Sequence, residues 1–245
     1  VEDADVSRRD DDSAAAVILA RVREALQLPA PPPHLRSHDA EPTRPGTLPI
    51  LPAEAGRPWL PDGGETPEEQ RRILADNLTR LRAEFIHVAD TAAAAAFLAE
   101  RARERGWRRI AVHADPLVAA ATATVGGQLH PVDAGSFDKH ALEACDAGIT
   151  ACEALVSQTG SVLVSSATCG GRSLSVLPHV HIVVAAIDQV VGTLADAFAR
   201  VRQRYGGRLP SMLSFITGPS RTGDIERILV LGAHGPKELV VILVG

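Results

Sequence analysis

Residues 85–113 read FIHVADTAAAAAFLAERARERGWRRIAVH. Phe85 to Val88 has the length and apolar character of a strand, Asp90 to Arg105 reads as an Ala-rich helix closed by Gly106, and Arg109 to His113 is the next strand. The alternation continues towards the C-terminus. Leu129 to Val132, Ala154 to Val156, Val162 to Val164 and Val180 to Ala186 are short apolar runs. Asp188 stands as the cap of a helix through Val191, Leu194, Phe198 and Val201, and Ser211 to Ile216 and Leu239 to Val244 complete the strand series. Such alternation predicts an α/β fold, a mostly parallel sheet with helices on both faces.

Towards the N-terminus, Thr66-Pro67-Glu68-Glu69 places a capping Thr, a Pro at the first helical position and a Glu three residues after the cap. A helix to about Ala83 is expected. Upstream, Pro29 to Pro67 holds 11 of the 17 prolines, too much punctuation for regular structure. Leu48, Ile50, Trp59 and Leu60 would anchor this stretch as an extended arm that wraps the domain or reaches a second subunit of a homo-oligomer; the alternative is a disordered linker. Ser13 would cap a helix expected through Val17, Val22 and Leu26 and ending before Pro29. The chain therefore divides into a helical and Pro-rich arm over 1–66 and one α/β domain over 67–245.

Composition narrows the chemistry. The 245 residues are 45% hydrophobic, enough to bury a full core, but only 3% aromatic, so packing must rest on Ala, Val, Leu and Ile. The net charge of −5, with no basic stretch interleaved with aromatics, argues against a nucleic-acid partner. Lys139 and Lys237 are the only lysines, and the arginine that supplies the rest of the positive charge suits carboxylate or phosphate ligands. Cys145, Cys152 and Cys169 are too few and too irregularly spaced for a disulfide framework, a zinc ribbon or an iron–sulfur cluster, and they fit a reducing cytoplasm. No apolar stretch approaches a membrane span, so neither insertion nor export is expected.

Three loops are rich in possible chemistry. The densest runs from Phe215 to Glu226, where a strand enters a loop containing Gly218, Pro219, Ser220, Arg221 and Thr222. Ligands of open α/β sheets bind outside the carboxyl ends of strands. Small residues there let backbone N–H groups approach an anion, the hydroxyls donate, Arg221 offers a planar fork, and Asp224 or Glu226 could orient it or act as a base. The alternative is an ordinary turn before a capped helix. The second loop, Ser157-Gln158-Thr159-Gly160-Ser161, either presents hydroxyls and amides to an anion or is a hairpin turn in which Gly160 supplies a positive φ. In the third, from Gly170 to His181, Arg172 could close over an anion and His181 could titrate near neutral pH. His234, between Ala233 and Gly235-Pro236, occupies another tight loop and is a candidate catalytic acid or base, with a structural role as the alternative. Neither a metal site nor a cofactor is expected, because the histidines form no ligand motif, and Cys169 lacks an adjacent base.

The runs SQTGSVLVSS, GGRSLSVLPHVHIVV and SFITGPSRTGDIERILVLGAHGPKELVVILV occur in this order. Together they resemble the lactate-utilisation protein C family, whose members carry the LUD domain. The resemblance covers roughly Phe85 to Gly245, and ITGPSRTGDIE and GAHGP are its most specific parts. It implies a fold of the type shared by sugar-phosphate isomerases and CoA transferases, and a part in oxidising L-lactate to pyruvate beside iron–sulfur partner proteins. The carried-over positions are Thr159, Gly160 and Ser161, then Gly218, Pro219, Ser220, Arg221, Thr222 and Asp224, and His234, Gly235 and Pro236. Family members commonly carry Glu where this chain has Gln158, which removes a charge that could serve as base. The expected function is a non-redox component of lactate oxidation that binds a small carboxylate or phosphate. A stand-alone isomerase or acyl-CoA-transferase-like enzyme, with Asp224 or Glu226 as base, is the alternative.

Overall fold

The computed structural model describes residues 16–17, 19–21, 23–24, 60–132, 138–206, 208–222, 230–232 and 234–245. The chain divides into two units, Val1–Gly56 and Arg57–Gly245. In the first, the described positions between 16 and 24 are helical and exposed. The proline-rich stretch from Pro29 lies outside the described residues as far as 59, and with it Leu48, Ile50 and Trp59.

The second unit opens with α1 (Pro67–Arg80), started by the reciprocal box that TPEE announces: the Thr66 side chain accepts from the Glu69 N–H, and the Glu69 carboxylate accepts from the Thr66 N–H. There follow β1 (Glu84–Val88), α2 (Thr91–Arg105), β2 (Arg109–His113), α3 (Pro116–Ala121), β3 (Gln128–Val132), α4 (Lys139–Glu143) and β4 (Ala147–Thr150). Next come β5 (Ala154–Val156), β6 (Ser161–Ser165), β7 (Val180–Ala186), β8 (Val190–Val191), α5 (Leu194–Tyr205), β9 (Leu213–Ile216), β10 (Arg221–Thr222), β11 (Val230–Leu231) and β12 (Glu238–Val244). The boundaries of α2 match the sequence reading. Asp90 caps it by accepting from the Ala93 N–H, and Gly106 closes it at φ 65°.

Six strands form one wholly parallel sheet in the order β1-β12-β7-β4-β2-β3. The two strands that flank α2 are therefore separated by β12, β7 and β4. Strands β5, β6 and β9 leave this series and make, with β8, a second, mixed sheet in the order β8-β5-β6-β9. The cause is local: the few residues between β5 and β6 can close a hairpin but cannot carry a parallel crossover. Two further differences have similar causes. Asp188 lies in a 3-10 turn (Ile187–Gln189) before β8, and α5 is capped instead by Thr193, whose box partner is Asp196. Strand β4, with Gly148 at its centre, is too weakly apolar to announce itself. That glycine is required, because a Cβ there would meet the Leu174 carbonyl oxygen at 2.8 Å.

Alternation along the strands gives the sheet two different faces. One carries Ile110, Val112, Ile149, Ile182, Val184, Val240 and Ile242 against Ala94, Leu98 and Ala102 of α2 and Val118 and Ala121 of α3. The opposite face carries Val183, Ala185, Val241 and Leu243 against Leu74 and Leu78 of α1 and Leu155, Val162 and Val164 of the second sheet. Further along that face, α4 covers Ala111 with Leu142. Helix α5 packs Ala197 and Val201 on the outer side of the second sheet.

Candidate functional site

Strand β9 is an edge of the second sheet, paired with β6 from Ser165↔Leu213 to Val162↔Ile216. Beyond it the chain turns at Gly218, held at φ 88° with its Cα so close to helix α1 that a Cβ would sit 2.9 Å from the Leu81 carbonyl oxygen. Only glycine satisfies both demands. Ser220 then ties this loop to the later one: its N–H donates to the Pro236 carbonyl at 2.9 Å, and its own carbonyl accepts from the Gly232 N–H at 2.9 Å. Lys237, the residue before β12, donates its N–H to the carbonyl of His179, the residue before β7. The joined loops thus lie at the amino ends of β7 and β12, opposite to the strand ends that the sequence argument had in view.

Between them and the segment before β7 is a pocket of about 270 Å³. Its polar donors are Ser175, Ser214, Thr217, Ser220 and His234, its apolar wall is Val176, Met212, Phe215 and Ile216, and Gly218, Gly235 and Pro236 complete it. No carboxylate lines it among the described residues.

The other expected residues take different places. The Ser157–Ser161 segment is the β5–β6 hairpin, with Gly160 at φ 64° where a Cβ would collide with Asn77 at 2.8 Å. Its polar groups face protein. Asn77 Nδ2 donates to the Ser157 carbonyl at 2.7 Å, and Gln158 Nε2 donates to the Pro61 carbonyl at 2.8 Å, a bond that a Glu carboxylate could not make. Thr159 Oγ1 lies 2.7 Å from Ser161 Oγ, which lies 2.8 Å from Thr217 Oγ1. The hairpin therefore supports the pocket through a hydroxyl relay without lining it. Arg221 donates from Nη2 to the Leu81 carbonyl at 2.9 Å, at the end of α1, and Arg172 donates to the Ser211 carbonyl at 3.0 Å. Neither guanidinium is among the pocket-lining groups. Asp224 and Glu226 lie outside the described residues, as does the side chain of Thr222.

His181 is fully buried on the second face of the sheet, its Nε2 2.9 Å from Thr150 Oγ1 and its Nδ1 without a partner. Burial pushes it down to about 4, so it stays neutral at physiological pH. The Cys169 Sγ lies 2.9 Å from the carbonyls of both Ser165 and Gly171, either of which can accept its one S–H, and burial pushes the thiol up to about 11, an unreactive state. Among the described residues no group of three or more His, Cys, Asp and Glu side chains is placed to hold a metal ion, and no helix is long and apolar enough to cross a membrane.

One feature went unread in the sequence. Glu153 is 1% exposed between β4 and β5; its Oε1 accepts from Ser165 Oγ at 2.5 Å and from the Tyr205 hydroxyl at 2.6 Å, and its Oε2 accepts from Arg204 at 2.9 Å. Burial and the bond to Glu153 raise the Tyr205 hydroxyl above its ordinary pKa. The signal was present as a single acid inside the apolar run from Ile149 to Val156.

A family model described as the LUD domain matches residues 71–244. Among curated proteins, the chain is 40% identical to a lactate utilization protein C of Shouchella clausii over 103 residues, 42% of this chain and 45% of that one. It is 36% identical to the protein of the same name from Bacillus subtilis over 114 residues, 46% of this chain and 48% of that one. The chain thus spans less than half the length of these relatives. A crystal structure of a DUF162 family protein from Deinococcus radiodurans superposes with a TM-score of 0.58 at 24% identity, covering 74% of this chain and all of that one, which supports the fold.

Proposed function

The chain belongs to the LUD-domain family, and from that premise we propose that it serves lactate utilisation as a non-redox component that binds a short carboxylate and docks on iron–sulfur partner proteins. The relatives named for lactate utilisation support the process. The observation that carries the ligand is the two-sided lining of the pocket at β9. Hydroxyls of Ser175, Thr217 and Ser220 and the His234 imidazole can donate to a carboxylate and a neighbouring oxygen, while Val176, Met212 and Phe215 offer an apolar wall to a methyl group. L-Lactate and pyruvate have this division. A volume of about 270 Å³ also lies below the roughly 300–1,000 Å³ of pockets for drug-sized ligands, which favours a three-carbon acid over a CoA ester.

A thermal-shift panel separates these ligand classes, since a ligand stabilises the native state according to its occupancy. L-Lactate or pyruvate should raise the Tm, sugar phosphates and CoA esters should not, and Ser220→Ala should reduce the effect. If no short acid shifts the Tm and deletion of the gene leaves growth on L-lactate intact, the reading is abandoned.

A further inference from the structure

A second cavity, of about 220 Å³, lies under helix α4 at the amino ends of β2 and β3 and is lined by Arg109, Gln128, His130, Ala141 and Cys145. Strand register explains its lining. Arg109 is the partner of Gln128, and Ala111 is the partner of His130, so all four project from the face that α4 covers. Ala111 on the strand and Ala141 on the helix are too small to fill the space between the layers. Positions beneath a helix call for apolar side chains, and Val132, Leu142, Cys145 and Leu174 meet that demand around Ala111. Arg109 and Gln128 are exposed and His130 is half-buried, so these three form a solvent-facing polar wall of the cavity. Together they place three hydrogen-bonding side chains, one of them a permanent cation, on one wall of one cavity.

The lining also has a definite sign. It holds a guanidinium, a carboxamide and an imidazole, and no carboxylate among the described residues. Asp146, which follows Cys145, is turned to the backbone: its Oδ2 accepts from the N–H groups of Arg108 and Arg109 at 2.7 and 2.9 Å. These bonds anchor the start of β2 and so fix the origin of the Arg109 side chain.

We propose that this cavity binds a phosphate group, with Arg109 as the charged fork and Gln128 and His130 as flanking donors. The site is separate from the pocket at β9 and does not depend on the reading of that pocket. Isothermal titration of the full chain with inorganic phosphate, at ionic strength held constant with chloride, tests it. Saturable one-site binding is expected, weakened roughly tenfold or more by Arg109→Ala, as loss of a charge-assisted bond requires, weakened less by Gln128→Ala, and unchanged by Ser220→Ala. Arg109 and Gln128 are exposed, so both variants should fold. A parallel titration with glycerol phosphate identifies the source: tighter binding than inorganic phosphate points to a phosphate ester, and equal binding to the free ion. Absence of saturable binding across the millimolar range, or an undiminished affinity in Arg109→Ala, overturns the proposal.

Discussion

His181 and Ile182 are consecutive residues of β7, both buried, and they face opposite sides of the same sheet. Ile182 enters an aliphatic layer covered by α2 and α3, where packing asks only for shape and apolar surface. His181 enters the side covered by α1, α4, the second sheet and its loops. Short strands and loops bring backbone ends and polar side chains inside, and each such group needs a partner. Thr150 meets His181, Glu153 meets Ser165, Tyr205 and Arg204, and Ser161 meets Thr217. The pocket at β9 and the cavity under α4 both belong to this second side. Regular helices thus stabilise one face, and irregular coverage equips the other.

Removing the most deeply buried carboxylate among the described residues should separate the two sides most clearly. Glu153→Ala leaves two hydroxyls and a guanidinium without their acceptor and should lower stability by about 4 kcal/mol in denaturant titration, whereas Ile182→Val should lower it by about 1 kcal/mol. Equal losses would mean that the network contributes no more than ordinary packing.

A pH series tests the same contrast at single-residue spacing. The folded protein holds His181 near 4 against an ordinary 6.5, so the stability tied to its neutral form is intact above pH 6.5 and is lost as pH falls through 4. The loss should reach about 3 kcal/mol. His181→Leu should flatten this part of the profile, and Ile182→Val should leave it unchanged; a wild-type slope in His181→Leu would assign acid sensitivity to another group.

The smallest expected effect concerns the pocket itself. Gly218→Ala should cost about 2 kcal/mol, because a positive φ and a clash with the Leu81 carbonyl coincide there. Gly171, at φ 102° with nothing within 4 Å of where a Cβ would sit, is the control for φ alone. Its Ala variant should lose less stability and retain any L-lactate-dependent Tm shift that Gly218→Ala weakens.

Much of the fold was legible because its signals are local. The Thr66–Glu69 box, Asp90 and Gly106 around α2, and the aliphatic runs of β7 and β12 each act within a few residues. The departure of β5, β6 and β9 into a second sheet was less visible, since an apolar strand reads alike in either sheet. For the site, the loops around Gly218 and His234 were found by their Gly and hydroxyl content, but the places of the arginines were not. Arg221 turns to a helix-end carbonyl 140 residues away in sequence, a partner that no local pattern announces.

By itself, then, the sequence determined the α/β class, the helix ends and the loops where small polar residues gather, because caps, alternation and glycine conformations are short-range properties of the chain. Tertiary structure alone decided the strand order, the burial of Glu153 and His181, and the polar wall formed by Arg109, Gln128 and His130. Those depend on which distant segments share a layer, and that follows from the packing of whole faces.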